Sequence, residues 1–255
     1  MRIIVKVGTS TLTHRSGHLN IRYVEMLCKV LSDIKNAGHE VVLVSSGAIG
    51  MGVGKLNLSA RPEDMPGKQA AAAVGQCELM YIYDKLFSEY NHTVAQLLLT
   101  GEDLEDRARH VNFVNTLNRL LELEVLPVIN ENDTIATEEI SFGDNDRLGA
   151  LVAAAVSAEL LVVLSDIDGL YTSDPRKDPE ARLIPEVRII TEEMKESAGG
   201  KGSALSTGGM ATKLVAAGIA MDAGCDMVIM NGAKPEDLYL LLEGKAVGTR
   251  FIGKR

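Results

Sequence analysis

Short apolar runs alternate with amphipathic segments along this chain. Apolar runs bounded by glycine or polar residues predict buried β-strands, and they occur at residues 3–7, 40–45, 92–99, 125–130, 160–165 and 227–230. Between these runs, apolar residues recur at the spacing of one helix face. The predicted helices cover residues 21–37 after the N-cap Asn20, an Ala-rich stretch after Pro66, residues 111–121, residues 210–223, and a segment from Pro235 to Leu242.

This alternation predicts the fold class. Strands that alternate with helices form a mostly parallel sheet with helices on both faces, so we expect a three-layer αβα sandwich with a mainly parallel central sheet. Residues 137–142 alternate only in part and are predicted to form an excursion or a hairpin. We expect one domain over residues 1–255, in which an N-terminal lobe of about 1–158 and a C-terminal lobe of about 159–255 share one sheet.

Composition and charge exclude several classes of protein. Hydrophobic residues make up 46% of the 255 residues and charged residues 24%, which is typical of a globular protein and excludes disorder. With 26 Lys and Arg against 35 Asp and Glu, a net charge of −9 and no Trp, we expect no nucleic-acid partner. Scattered cysteines and the absence of a leader or a membrane-length apolar run predict a cytoplasmic protein without membrane contact.

The two common nucleotide-binding loops are absent from the sequence. A Walker loop requires Ser or Thr after its Gly-Lys pair, but Leu56 follows Gly54 and Lys55. A dinucleotide fingerprint requires a third glycine after Gly50 and Gly52, but Lys55 occupies that position. Any phosphate site must therefore use other loops.

Three loops that follow predicted strands have the composition of an anion site. The loops cover residues 6–10, 45–50 and 199–213. The first contains Lys6 and Gly8, and in the third a helix begins close to Lys213. Small residues let backbone N–H groups approach an anion, and a helix N-terminus beside a lysine attracts one. Taken singly, the first loop also fits a solvent-facing lysine, the second an ordinary turn, and the third a Gly-rich loop that is merely mobile. Their shared position at strand ends favours a common site.

Six motifs occur in the order found in a known family. They are Lys-Val-Gly-Thr-Ser at 6–10, Val-Ser-Ser-Gly-Ala-Ile at 44–49, Val-Ile-Asn-Glu-Asn-Asp at 128–133, Phe-Gly-Asp-Asn-Asp at 142–146, Ser-Asp at 165–166 with Gly-Leu-Tyr-Thr at 169–172, and Thr-Gly-Gly-Met-Ala-Thr-Lys at 207–213. They resemble those of the glutamate 5-kinases within the amino acid kinase family, from residue 3 to about 249. Many members carry a C-terminal PUA domain, and we expect none here.

The resemblance implies a function. It implies ATP-dependent phosphorylation of the γ-carboxylate of L-glutamate to L-glutamyl 5-phosphate, by direct in-line transfer, as the first step of proline biosynthesis. A carboxylate with a pKa of about 4.3 is already ionised at neutral pH, so this chemistry needs no general base. Mg²⁺ would accompany ATP and be held mainly by phosphates and water, with no metal site built by the protein.

The resemblance also assigns residues. The catalytic set is Lys6, Lys213, Asp146, Gly8 and Gly47, in which Lys6 lies on the glutamate side, Lys213 on the nucleotide side, and Asp146 holds both lysines. The glutamate site is implied to contain Ser46, Asp133, Asn145 and Asp144, with Asp133 binding the α-ammonium group. The ATP site is implied to contain Lys6, Ser165, Asp166, Thr207, Gly208, Gly209, Met210, Ala211, Thr212 and Lys213.

Two other functions remain open from the residues. One is a kinase of the same family that acts on N-acetylglutamate, carbamate or aspartate, and the other is an amino-acid sensor without catalysis. The resemblance further implies inhibition by proline and a homo-oligomer, a dimer or a tetramer. The Ala-rich helix 70–90 and a loop at 101–115 are the candidate self-association surfaces.

Overall fold

One sheet organises the protein in the computed structural model, which describes residues 1–14, 18–135, 145–199 and 209–254. Its eight strands in these ranges are β1 (Arg2–Val7), β2 (Glu40–Ser45), β3 (Val94–Leu99), β4 (Leu126–Glu131), β5 (Leu160–Ser165), β6 (Glu186–Val187), β7 (Asp226–Asn231) and β8 (Thr249–Phe251). The spatial order is β3-β4-β2-β1-β5-β7-β8-β6. Among the described residues, every pair of these strands is parallel except β7 with β8.

Helices cover both faces of this sheet. They are α1 (Thr9–Leu12), α2 (Ile21–Asn36), α3 (Ala48–Lys55), α4 (Met65–Ser88), α5 (Gly101–Glu105), α6 (Arg107–Glu122), α7 (Asn145–Ala155), α8 (Glu192–Gly199), α9 (Met210–Asp222) and α10 (Asp237–Leu242). One buried cluster joins the sheet to α6, α7 and α9, and a second joins its other face to α2, α4 and α10. The prediction of a three-layer αβα sandwich is confirmed. Within the described ranges, no helix combines the length and apolarity needed to cross a membrane.

The central strand β1 links the two predicted lobes and aims one lysine. It pairs with β2 on one side and β5 on the other, so the expected continuous sheet is confirmed. Side chains alternate between the faces of a strand. Lys6 therefore shares its face with Ile4, which packs in the cluster that contains α7 and α9.

Helix α3 was not predicted, because its sequence Ala-Ile-Gly-Met-Gly-Val-Gly-Lys is rich in a residue that disfavours helices. The structure shows why small residues occur there. A Cβ added to Gly52 would lie 1.8 Å from the backbone oxygen of Ala71, and one added to Gly75 would lie 1.8 Å from that of Ala48. The glycines therefore allow α3 and α4 to pack with their backbones in contact, a requirement that helix propensity does not include.

The loop predicted at 101–115 is wrong, because the segment forms α5 and the first half of α6. Helix α5 begins with a capping box in which Thr100 and Asp103 exchange side-chain and backbone hydrogen bonds, and Asp106 caps α6. These caps supply hydrogen-bond acceptors for backbone N–H groups at the N-termini of α5 and α6, which have no partner within the helix. The excursion or hairpin predicted at 137–142 lies outside the described residues.

Candidate active site

A cavity of about 690 Å³ opens at the carboxyl ends of the central strands. Its wall contains Lys6 from β1, Ser46 after β2, Asn130 from β4, Ser165 from β5 and Lys213 from α9. This is the edge at which open α/β sheets bind ligands. The first two loops that sequence analysis singled out therefore meet at one cavity with the described end of the third, which contributes Gly209, Met210 and Lys213.

Two lysines share one buried carboxylate beside this cavity. Lys6 Nζ lies 2.6 Å from Asp146 Oδ1, and Lys213 Nζ donates a hydrogen bond to Asp146 Oδ2 at 3.1 Å. Only 8% of the Lys6 side chain, 6% of that of Lys213 and none of that of Asp146 is exposed. Lys6 and Lys213 line the cavity, whereas Asp146 lies beneath them.

The charge state of Asp146 follows from its neighbours. Burial raises the pKa of the Asp146 carboxyl, but the ammonium groups of Lys6 and Lys213 together lower it by more. The pKa of Asp146 therefore lies below its usual value, and the group is a carboxylate at neutral pH. The three groups together carry one positive charge, which is suited to an anion that enters the cavity.

Local sequence places each member of this cluster at the start or end of an element. Asp146 is in the first turn of α7, and Lys213 is in the first turn of α9 after the N-cap Gly209. Helix α7 also packs on the stem of Lys6, since a Cβ added to Gly149 would lie 3.6 Å from Lys6 Cβ. Helix α7 therefore covers the base of the Lys6 side chain, while Lys6 itself contributes to the cavity wall.

Two glycines bring backbone N–H groups to the same place. Gly8 follows β1 and is the N-cap of α1, and a Cβ there would lie 3.6 Å from Lys6 Nζ. Gly47 precedes α3 with φ of 106°, in the left-handed region that favours glycine. Both line the cavity. Backbone N–H groups at such positions are suited to binding a phosphoryl oxygen.

Amide and hydroxyl groups form the wall on the β2 and β4 side. Asn145 Nδ2 donates to Ser46 Oγ at 2.8 Å and to Asn130 Oδ1 at 2.9 Å. Asp133 follows β4 and lines the same cavity. The predicted glutamate residues Ser46, Asp133 and Asn145 therefore all lie at this cavity, and Asp144 lies outside the described residues.

The β5 loop and the start of α9 form the opposite wall. Ser165, Asp166, Gly209 and Met210 line the cavity together with Lys213. Ala211 and Thr212 belong to the first turn of α9 but are not among the lining residues described, and the Thr212 hydroxyl donates to the Gly209 carbonyl at 2.8 Å. Thr207 and Gly208 lie outside the described residues.

Comparison with known families agrees with this geometry. The model of the family described as "Amino acid kinase family" matches residues 1–231. The chain belongs to the amino acid kinase family.

Curated relatives place the chain more narrowly within this family. It is 53% identical over 258 residues to a protein of Clostridium perfringens named glutamate 5-kinase, covering 100% of this chain and 96% of that protein. It is 54% identical over 255 residues to a glutamate 5-kinase of Carboxydothermus hydrogenoformans, covering 100% of this chain and 68% of that protein. The sequence resemblance to glutamate 5-kinases is confirmed.

Two solved structures of proteins with low sequence identity have the same fold. Carbamate kinase from Giardia lamblia, bound to AMP-PNP, superposes with a TM-score of 0.71 at 17% identity, covering 99% of this chain and 98% of that one. Isopentenyl phosphate kinase from T. acidophilum gives a TM-score of 0.65 at 17% identity, covering 98% and 100%. These likenesses support the amino acid kinase fold alone.

Several cavity residues of this amino acid kinase were not assigned a role from the sequence. Arg61, between α3 and α4, and Arg176, after β5, both line the cavity, and the exposed Arg176 lies 3.7 Å from Asp166 Oδ2. Asn130 occurs in a quoted motif but was given no function. The protein has a net charge of −9, and anionic substrates require local positive charge. On that ground, arginines near the strand ends are candidates for substrate binding in the sequence.

Proposed function

We propose that this protein transfers the γ-phosphoryl group of ATP to the γ-carboxylate of L-glutamate, giving L-glutamyl 5-phosphate in the first step of proline biosynthesis. The observation that carries the proposal is the pair of lysines, Lys6 and Lys213, which Asp146 bridges. They lie at a cavity lined by residues from both lobes. Relatives named glutamate 5-kinase at 53–54% identity support the choice of substrate.

The arrangement suits direct in-line transfer. The reaction brings two anions together, and the acceptor carboxylate is already ionised, so the protein must supply position and positive charge rather than a base. Lys6 would neutralise charge on the acceptor side and Lys213 on the nucleotide side. Asp146 would keep the two ammonium groups apart and oriented. The N–H groups of Gly8 and Gly47 would stabilise charge on the transferring phosphoryl oxygens.

Each wall of the cavity would bind one substrate. Glutamate would bind in the lobe of about 1–158, where Ser46, Asp144 and Asn145 would hold it and the Asp133 carboxylate would pair with its α-ammonium group. ATP would bind in the lobe of about 159–255, to Ser165, Asp166 and the segment 207–213. The family resemblance supports this division, as well as a cytoplasmic location and assembly into a dimer or tetramer.

The residues present fit a Mg²⁺ ion that arrives with ATP. Among the described residues, no group of three His, Cys, Asp or Glu side chains could hold a metal ion, but Mg²⁺ in kinases keeps waters and binds substrate phosphates. Ser165 and Asp166 line the cavity and carry side-chain oxygen atoms that would accept hydrogen bonds from the waters around such an ion. When bound, the ion would neutralise charge on the phosphates.

The choice among family substrates is testable in one assay. We expect ATP-dependent ADP release with L-glutamate and not with N-acetylglutamate, aspartate or carbamate, because Asp133 requires a free ammonium group at the distance that glutamate spans. A coupled ADP assay over the four substrates measures this directly. Release with N-acetylglutamate alone would contradict the proposal, and release with none of them would favour the amino-acid sensor.

Proline is expected to inhibit competitively with glutamate. Both ligands present an α-carboxylate and a cationic amine, so both would use Asp133, but proline has no γ-carboxylate to accept a phosphoryl group. Asp133→Asn should therefore weaken glutamate and proline together, by about 1.5–3 kcal/mol for a hydrogen bond to a charged group. The measurement is a proline titration at several fixed glutamate concentrations.

A matched control is available for this titration. Asp84→Asn makes the same chemical change on the exposed surface of α4 and should leave both constants unchanged. If proline fails to inhibit at subsaturating glutamate, or its inhibition constant does not respond to Asp133→Asn, the two ligands do not share this site.

A further inference from the structure

A chain of side-chain amides connects helix α4 to the cavity. Gln76 Nε2 donates to Gln96 Oε1 at 3.2 Å, and Asn130 Nδ2 donates to Gln76 Oε1 at 2.8 Å. The chain continues through Asn145 Nδ2, which donates to Asn130 Oδ1 and to Ser46 Oγ. Asn130, Asn145 and Ser46 line the cavity, whereas Gln76 lies behind them and is buried.

Backbone groups at two points fix the orientation of every amide in this chain. The backbone N–H of Glu131 can only donate, and it donates to Asn130 Oδ1 at 2.9 Å. Asn130 must therefore turn its Nδ2 towards Gln76, which must present Oε1. At the other end, the Ser45 carbonyl can only accept, and it lies 3.3 Å from Asn145 Nδ2. The order of donors and acceptors is thus set by the main chain.

This orientation determines what Ser46 and Asn145 can offer to a ligand. Because Ser46 Oγ accepts from Asn145, the hydroxyl hydrogen of Ser46 is directed away from Asn145 and can donate to a substrate carboxylate. The other atom of the Asn145 amide, Oδ1, is buried and has no hydrogen-bond partner among the described residues. If the Asn130 amide rotated, its Nδ2 would face Asn145 Nδ2, and Asn145 would keep only Ser46 Oγ and the more distant Ser45 carbonyl as acceptors. The Asn145 amide and the Ser46 hydroxyl would then be less firmly oriented.

We propose that Gln76 is a positioning residue for the amino-acid substrate, which acts through Asn130 to orient Asn145 and Ser46. The proposal rests on the proposed function, because it takes the substrate of this wall to be glutamate. Gln76 occupies the one position on α4 from which an acceptor reaches Asn130 Nδ2 among the described contacts. An Ala-rich helix whose other buried residues are mostly apolar thus has one polar side chain at the point where it passes behind the site.

Steady-state kinetics of two substitutions at this position test the proposal. Gln76→Met keeps the length of the side chain but removes its hydrogen bonds, and we expect KM for glutamate to rise about tenfold, the scale of one net hydrogen bond. The values of kcat and of KM for ATP should stay within about twofold, because the lysines and the nucleotide wall are unchanged. Gln76→Glu keeps an acceptor for Asn130 Nδ2, and the exposed Gln96 can turn its amide to donate to the second carboxylate oxygen. Its KM for glutamate should therefore rise clearly less than that of Gln76→Met.

Controls separate this role from simple packing. Gln96→Met removes the outer end of the chain at an exposed position and should leave KM for glutamate unchanged. An unchanged KM in Gln76→Met, or equal rises of KM in Gln76→Met and Gln76→Glu, would overturn the proposal. So would a parallel loss of kcat and of affinity for both substrates. The parent enzyme is assayed alongside: its inactivity with glutamate would reject the proposed function, whereas activity without the KM effect would reject only the role of Gln76.

Discussion

Replacing Lys213 or Lys6 by alanine is expected to lower kcat at least about a hundredfold, the scale of losing one charge contact to a transition state. Each ammonium group is held within 3.1 Å of Asp146 at the cavity wall, so its position is set before substrate binds. Preorganised charge of this kind acts in the transition state without a cost of reorientation. The loss should therefore appear in kcat rather than in KM alone.

Lys6→Arg should not restore the rate. The Lys6 ammonium group lies close to Gly8, where even a Cβ would be 3.6 Å away, and a planar guanidinium needs more room than a compact ammonium. Initial rates at saturating ATP and glutamate measure all three variants. A kcat within about threefold of the parent for either alanine variant would remove that lysine from the proposed mechanism.

Local pattern predicted most of the layers and the loops that line the site, but not which side chains meet there. Buried runs such as 160–165 identified strands because a strand in a parallel sheet is apolar on both faces. The same logic marked Lys6 as exceptional, since it is a charge inside such a run. In contrast, α3 was not predicted. Its glycines are required by close packing against α4, and a contact between two separate segments cannot be recognised from the local sequence of either.

The meeting of Lys6, Asp146 and Lys213 could not be predicted from residue spacing. Asp146 and Lys213 are 67 positions apart, and nothing local in either sequence indicates a shared partner. The family resemblance supplied this grouping, and the structure places the three side chains in contact. Neither the local pattern nor the resemblance identified Gln76, because it is one of several polar residues in α4 and resembles an ordinary surface position until the fold buries it.

Replacing Asp146 by asparagine should have the largest effect on stability. The change leaves two buried ammonium groups facing a neutral amide, and breaking a buried ion pair by removing one partner costs about 3–5 kcal/mol. Lys213→Met is the matched control, because it removes one charge from the same cluster but retains the contact of 2.6 Å between Lys6 and Asp146. We expect a clearly smaller loss in the free energy of unfolding for this control, although both variants should have low kcat.

The pH dependence of this stability difference provides a separate check. Burial raises the pKa of Asp146 and its two lysines lower it by more, so the pKa in the folded protein lies below the value of about 3.9 expected in the unfolded chain. A carboxylate with a lowered pKa stabilises the fold above the unfolded value, and this contribution is lost as the pH falls through the folded value. Denaturant unfolding of the parent and of Asp146→Asn should therefore give a constant difference between about pH 5 and pH 8 that shrinks below about pH 4. A difference that stays constant into acid would mean that the ionised carboxylate of Asp146 is not what holds the two lysines in place.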